Sequence, residues 1–323
     1  MMDFSFPDKL PVGISQCLLG DNVRYDGSHK HSKICTELLA RRFDFIPVCP
    51  EMGIGMNAPR EAIHLQGNPH DETVRAVGNR TATLDVTDKL EQYGREKAAE
   101  LQQLCGYIFM GRSPSCGLGS IKVYHENGNP AGRSTQGIYA REFTRQHPLM
   151  PVEEEGRLRD DKLCENFVAR VYAFKRWRDL TEGGLTHAGL QAFHARHKYL
   201  LMSHRNESYR HLGRLVALAH QRDIEAAAHE YIHEFMATLK IVSTTKTHAN
   251  VLQHIMGYLK KDLDAPSKQE LLKLVDAYRC GQVPLIAPLT LLKHHLQRHP
   301  NAYLQQQFYL EPHPPELMLR NFH

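Results

Sequence analysis

Three cysteines stand out by their setting. Cys17 ends the apolar run from Leu10 and opens Cys17-Leu-Leu-Gly20. Cys49 ends the run from Phe43 and opens Cys49-Pro-Glu51-Met-Gly53. Cys116 lies six residues past Met110, where the run from Gly106 ends, in Gly111-Arg-Ser113-Pro-Ser115-Cys116-Gly117-Leu-Gly119. Each run is short, apolar and closed by a Gly- or Pro-bearing turn, the pattern of a buried strand. Ligands of an open α/β sheet bind beyond the carboxyl ends of its strands, so neighbouring strands would bring the three sulfurs to one edge. Three converged thiolates suit a soft metal: zinc, copper(I) or an iron–sulfur cluster. A structural zinc site is closed by four protein ligands, and an electron-transfer cluster is typically held by four cysteines. Three leave one position open for a metal that acts on substrate. A free cysteine otherwise reads as a small core residue. That is the reading for Cys35, Cys105, Cys164 and Cys280, which lie in or at the ends of helix-like segments.

Groups suited to acid–base work lie beside these sulfurs. Glu51 is two residues after Cys49, and Ser113 and Ser115 precede Cys116 on one turn. A helix-start carboxylate and a turn serine before Pro114 are the plain alternatives for Glu51 and Ser113. Gly111, Gly117 and Gly119 allow backbone N–H groups to approach an anion. Arg24-Tyr25-Asp26-Gly27 follows Cys17 and Pro59-Arg60-Glu61 follows Cys49, adding cationic and hydrogen-bonding groups.

The elements that must position these residues alternate along the first half. Between the strand-like runs lie helix-like segments, His31 to Arg42 and Asp85 to Cys105. This predicts an α/β domain over residues 1–160, with a Rossmann-like, mostly parallel sheet. Pro47 speaks against a central position for the second run. From about Asp160 the pattern is helical: Leu163–Trp177, Thr186–Ser203, Tyr209–Gln221, Ile224–Leu239, His248–Lys261 and Ser267–Cys280, rich in good helix formers. An all-α domain is therefore expected over 161–323. Pro148 to Arg159, with Glu153, Glu154 and Glu155, reads as an exposed linker or domain edge. Pro288 reads as punctuation, and the tail Glu311-Pro-His-Pro-Pro as extended and loosely held.

Composition narrows the function classes. With 323 residues, 41% hydrophobic and 24% charged, the chain suits about two globular domains rather than a disordered one. No run approaches a membrane span. The start, Met-Met-Asp-Phe-Ser-Phe-Pro-Asp-Lys, shows no secretory h-region. Seven scattered cysteines without C-x-x-C point to a reducing cytoplasm. Residues 1–150 hold 17 Lys and Arg against 17 Asp and Glu; residues 151–323 hold 23 against 19, and 15 of the 21 histidines. The whole surplus of +4 thus lies in the second half, which favours an anionic partner there, nucleic acid foremost. An ordinary solvated surface is the plainer account.

Cys17-Leu-Leu-Gly with Arg24-Tyr25-Asp26-Gly27, Cys49-Pro-Glu51 with Pro59-Arg60-Glu61, and Ser113-Pro-Ser-Cys116-Gly together resemble the TudS-type thiouracil desulfidase family over roughly residues 10–160. The second half, notably Phe193-His-Ala-Arg196-His197-Lys198-Tyr-Leu-Leu-Met-Ser-His204, is similar to a helical domain that follows this module in some bacterial proteins. The whole chain thus resembles the two-domain, RudS-type members of the family, which remove sulfur from 4-thiouridine in tRNA. The resemblance implies a 4Fe–4S cluster on Cys17, Cys49 and Cys116, catalysis by Glu51 and Ser113, and tRNA as substrate. The reaction would be a non-redox hydrolysis needing no redox partner.

For RNA contact the candidates are Arg196, Lys198, Arg205, Arg210 and Arg214. They are interleaved with Tyr199 and Tyr209, with Leu200, Leu201, Leu212 and Leu215 at helical spacing. Arg and Lys would position phosphates and rings would stack bases; a solvated amphipathic helix pair is the alternative. His194, His197 and His204 lack acids at metal-site spacing and read as structural. Two other functions remain open: a desulfidase for free thiouracil or thiopyrimidine bases, and an iron–sulfur RNA-binding regulator without turnover.

Overall fold

A computed structural model describes residues 6–69, 73–81 and 83–321. The chain divides into two compact units. One is Pro7–Arg159; the other begins at Asp160 and takes in Phe6.

The first unit is α/β. Strands β1 (Leu10–Ser15), β2 (Phe43–Val48), β5 (Gly106–Phe109) and β8 (Val152–Glu154) form one sheet in the order β2-β1-β5-β8. Every pairing in it is parallel. β1 and β5 are buried along almost their whole length, as expected of a parallel sheet covered on both faces. Pro47 falls in β2, an edge strand, where a missing N–H is tolerated. Helices α1 (Pro50–Gly53), α2 (Thr87–Glu100) and α3 (Ile138–Gln146) belong to this unit. α2 buries Thr87, Leu90, Gly94 and Ala98, a stripe at helical spacing. The core centres on Tyr107 and Phe109, stacked at 4.0 Å, with Tyr139 and Phe143 of α3 against them.

A second sheet is not apparent in the sequence. β3 (Ile63–Gln66), β4 (Arg75–Gly78), β6 (Ile121–Tyr124) and β7 (Pro130–Thr135) run in the order β4-β3-β6-β7. Three of these strands have only four residues and carry His64, Gln66, Arg75 or Lys122, so their apolar signal is weak.

Four expectations need correction. The segment His31–Arg42 is not a regular helix but a π-turn, Ile34–Leu38, followed by a 3₁₀ turn. The acidic stretch is not a linker. Val152–Glu154 is a sheet strand, and Glu153 and Glu155 are buried while paired to Arg157 and Arg159 four residues on. Pro288 does not end a helix but sits in the first turn of one, where proline costs little. The tail is not loose: Pro312 and His313 are buried, Arg176 donates to the Pro312 carbonyl at 2.9 Å, and Arg320 pairs with Glu165 at 3.0 Å.

The second unit is all-α: α4 (Asp161–Glu182), α5 (His187–His204), α6 (Asn206–Leu218), α7 (Ile224–Leu239), α8 (Thr245–Met256), α9 (Ala265–Arg279), α10 (Ile286–Arg298) and α11 (Ala302–Gln305). Side chains of Asp160, Thr186, Asp223, Thr244 and Asp264 cap α4, α5, α7, α8 and α9. These are the residue types that best satisfy orphan N–H groups.

Gly13 in the middle of β1 marks how tightly the sheet is covered. A Cβ there would come within 2.3 Å of the Tyr107 ring and 2.9 Å of Leu104. Gly13→Ala should therefore lower unfolding stability by about 1–3 kcal/mol, read from urea denaturation. An unchanged midpoint would contradict this packing.

Candidate functional site

The registers put the strand ends level. Ser15 pairs with Val48, Ile14 with Ile108, and Phe109 with Glu154. Cys17 and Cys49 therefore leave the sheet one or two residues beyond the same edge, and the chain after Phe109 leaves there too. The edge opens into a cavity of about 760 Å³ lined by Cys17, Cys49 and Cys116, with Glu51 and Ser113 in the same wall. Cys35, Cys105 and Cys164 are buried and do not line it; Cys280 is exposed.

Each sulfur is held by its own turn. Cys17 sits in a 3₁₀ turn, Gln16–Leu19, closed by Gly20 at φ 105°, a conformation that favours glycine. The Cys17 carbonyl accepts from Lys30 N at 2.9 Å. Cys49 precedes α1, and its carbonyl accepts from Gly53 N at 2.9 Å. Its thiol donates toward Glu51 Oε2 at 3.5 Å. The Cys116 turn is the most constrained. Ser113 Oγ accepts from the N–H of Ser115 at 3.2 Å and of Cys116 at 3.0 Å. The first N–H groups of α3 then close on the turn: Ile138 N on Pro114 O, and Ala140 N on Ser115 O.

Electrostatics tie Glu51 to all three thiols. Burial pushes Cys17 up to about 11, Cys49 to about 12 and Cys116 well above its usual range. In each case the Glu51 carboxylate is the next cause. Arg24 and Arg60 pull Cys17 down, and a hydrogen bond with Ser15 does the same for Cys116. Arg60 Nη2 lies 3.6 Å from Glu51 Oε2, both side chains being largely buried, and Arg60 Nη1 donates to the Val23 carbonyl at 2.9 Å.

This donor set fits a thiolate-held metal centre. Three soft sulfurs face one cavity, and burial beside a carboxylate keeps each protonated until a cation is present. Among the described residues no three His, Cys, Asp or Glu side chains are gathered as a single-ion site.

Two participants escape sequence reasoning. Ser15 lies inside a strand, yet its Oγ accepts from Met110 N at 2.9 Å and reaches Cys116. Glu154 lines the cavity while Oε1 accepts from Leu118 N at 2.8 Å, bracing the Cys116 loop from β8. Once the strand after Met150 is known, its register with Phe109 would point to Glu154.

The basic residues of the second unit do not form one uniform face. Arg205 pairs with Glu207 at 3.1 Å, and the Arg196 guanidinium lies 4.3 Å from the centre of the Phe308 ring. Arg210 and Arg214, four apart on α6, are exposed. Lys198 sits among tyrosines. His197 and His204 are buried and bonded to backbone carbonyls, and His194 bonds to the Tyr231 hydroxyl.

The first unit is thus an α/β unit whose parallel sheet carries three thiols and a carboxylate at its carboxyl edge, in the wall of one cavity. Two family models match the chain: 2-thiouracil desulfurase over residues 12–155, and a protein of unknown function, DUF1722, over residues 198–314. The chain is 34% identical over 158 residues to an uncharacterized protein, YbgA, of Escherichia coli K12, covering 49% of this chain and 94% of that protein. It is 27% identical over 128 residues to the uncharacterized protein YbbK of Bacillus subtilis 168, covering 38% of this chain and 82% of that one. It is also similar to a solved structure described as a [4Fe–4S]-dependent thiouracil desulfidase, TudS, at 31% identity over 50% of this chain and 100% of that one, with a TM-score of 0.37. The chain belongs to the TudS-type thiouracil desulfidase family, with a DUF1722 region in its helical half.

Gly137, just before α3, presses on the Cys116 turn: a Cβ there would lie 2.5 Å from the Ser115 carbonyl oxygen and 2.9 Å from that of Pro114. Neither backbone atom can yield cheaply. Gly137→Ala should shift this turn, lowering metal content after reconstitution and stability by about 1–3 kcal/mol. Wild-type metal content and stability would show that the α3 contact does not position Cys116.

Proposed function

We propose that this chain removes sulfur from 4-thiouridine in tRNA, converting C=S to C=O by non-redox hydrolysis. In this reading Cys17, Cys49 and Cys116 hold a 4Fe–4S cluster. The convergence of three thiols and Glu51 on one cavity carries it. When bound, the cluster supplies a soft Lewis acid with one coordination position free for the thiocarbonyl sulfur.

The protein's own groups then supply positioning and proton movement. Arg60 keeps the Glu51 carboxylate beside the sulfurs. From there it takes a proton from the water that attacks the ring carbon and returns one as sulfide leaves. Ser113 Oγ accepts two backbone N–H bonds, leaving its O–H to donate to the base. Water enters, hydrogen sulfide leaves and no electrons change hands, so no redox partner is needed. A reducing, cytoplasmic setting keeps the free thiols available, and no helix among the described residues is long and apolar enough to cross a membrane.

A cavity of about 760 Å³ leaves room for a thiolated base beside whatever the three sulfurs hold. The surplus positive charge of residues 151–323 supplies phosphate contacts. Arg210 and Arg214, exposed and with no carboxylate partner among the described residues, join Arg196, Lys198 and Arg205 as the phosphate-contacting set. Free thiouracil as the true substrate is the competing case. An anaerobic sulfide-release assay with thiolated tRNA and with free 4-thiouracil decides it: faster turnover of tRNA is expected, and turnover of the free base alone would overturn the tRNA assignment.

Two substitution series test the site. Ala at position 17, 49 or 116 should abolish iron binding and activity, while Ala at 35, 105, 164 or 280 leaves iron near wild type. Need for a fourth cysteine would sink the open-site arrangement. Glu51→Gln should keep the visible spectrum of the reconstituted protein and lower turnover by about 10²-fold or more; full activity would remove Glu51 from the chemistry.

A further inference from the structure

The helical unit contains a polar cluster that its core does not explain. The Lys198 ammonium lies 5.1 Å from the ring centre of Tyr199 and 5.9 Å from those of Tyr209 and Tyr303, all within cation–π range. No carboxylate lies within ion-pair distance of it among the described residues. Tyr258 stacks on Tyr303 at 5.9 Å with 25° between planes, and is 43% exposed. The four tyrosines come from four places: Tyr199 from α5, Tyr209 from α6, Tyr258 from the turn after α8 and Tyr303 from α11. The ring of His194 backs Tyr209 at 5.6 Å and 3°.

The chemistry of this cluster selects its ligand. An aromatic cage of this kind is suited to a cation, but Lys198 already fills it, so a second cation would be repelled. The unpaired ammonium instead favours an anion beside the rings. Burial first, then its tyrosine neighbours, push the Tyr199 phenol far up and Tyr303 up to about 12, so both stay neutral and add no negative charge to oppose it. The outer face of Tyr258 offers a flat apolar platform next to that positive charge. A planar ring joined to a phosphate matches both features; a neutral sugar would leave the ammonium unused.

We propose that Lys198, Tyr258 and Tyr303 form a nucleotide-binding site, in which an unstacked RNA base lies on Tyr258 and its phosphate meets Lys198. This rests on RNA being the carrier of the substrate, and it places one contact of that RNA in the helical unit. It places base stacking on the exposed Tyr258 rather than on Tyr199, which the sequence offered and which is buried.

Binding, not turnover, tests it. Full-length protein is titrated by fluorescence anisotropy with a labelled short oligouridylate and with an abasic oligomer carrying the same number of phosphates. Tyr258→Ala should weaken oligouridylate binding about tenfold or more and leave the abasic oligomer unchanged, while Tyr258→Phe retains wild-type affinity. Lys198→Gln should weaken both and flatten the salt dependence by about one slope unit. A thermal melt of each variant, with the oligouridylate-to-abasic affinity ratio as the readout, separates lost binding from lost folding. Equal wild-type affinity for the two oligomers, or no effect of Tyr258→Ala, would overturn the proposal. Sulfide release from free 4-thiouracil reads the desulfidase assignment separately and should be unchanged in Tyr258→Ala.

Discussion

Everything at the site depends on parallel strands ending level. A parallel pair fixes its register through slanted, evenly spaced hydrogen bonds, so a one-residue slip would turn every side chain to the other face. Here Ser15 opposite Val48 and Ile14 opposite Ile108 set the heights at which three separate turns begin. Residues 17, 49 and 116 are far apart in the chain, and this register is what gives them one cavity. The covering residues enforce it: Gly13 is a glycine because Tyr107 occupies the space above it.

The second constraint is electrostatic. The cavity gathers three thiols and the Glu51 carboxylate, with Arg60 as that carboxylate's close partner and Arg24 also in the wall. Burial and Glu51 both oppose thiolate formation at Cys17 and Cys49, while Arg24 and Arg60 favour it at Cys17. The same closeness is what a proton carrier requires. A group that raises the pKa of all three sulfurs is, by that fact, near whatever those sulfurs hold. Glu51 is the acid tied to all three sulfurs, whereas Ser113 holds the Cys116 turn.

Much of this was legible in the residues, for identifiable reasons. The apolar run ending at Cys17 reads as a strand because burial on both faces leaves it nearly continuous, while the run ending at Cys49 is an edge strand that tolerates Asp44 and Pro47. Helices of the second half announced themselves through long runs of good helix formers. β8 stayed hidden because three residues, two of them glutamates, look like solvent-exposed chain; Glu153 is met by Arg157 one turn on, and Glu154 accepts from Leu118 N. The tail looked loose because prolines lack N–H groups, yet a carbonyl is enough, and that of Pro312 takes the buried Arg176. Tyr258 and Tyr303 lie 45 residues apart, a pairing that no local pattern signals. Ser15 and Arg60 matter through partners set by tertiary register, which one sequence does not display.

The central claim is hydrolysis of a thiocarbonyl at this cavity, and the origin of the product oxygen tests it most directly. Reconstituted protein would be given 4-thiouridine-containing tRNA in ¹⁸O-labelled water under anaerobic conditions, and the digested product weighed by mass spectrometry. The account predicts uridine carrying one ¹⁸O atom in place of sulfur, with sulfide released and no added reductant or oxidant. Uridine without the label, or sulfur lost only when an electron donor is supplied, would contradict it.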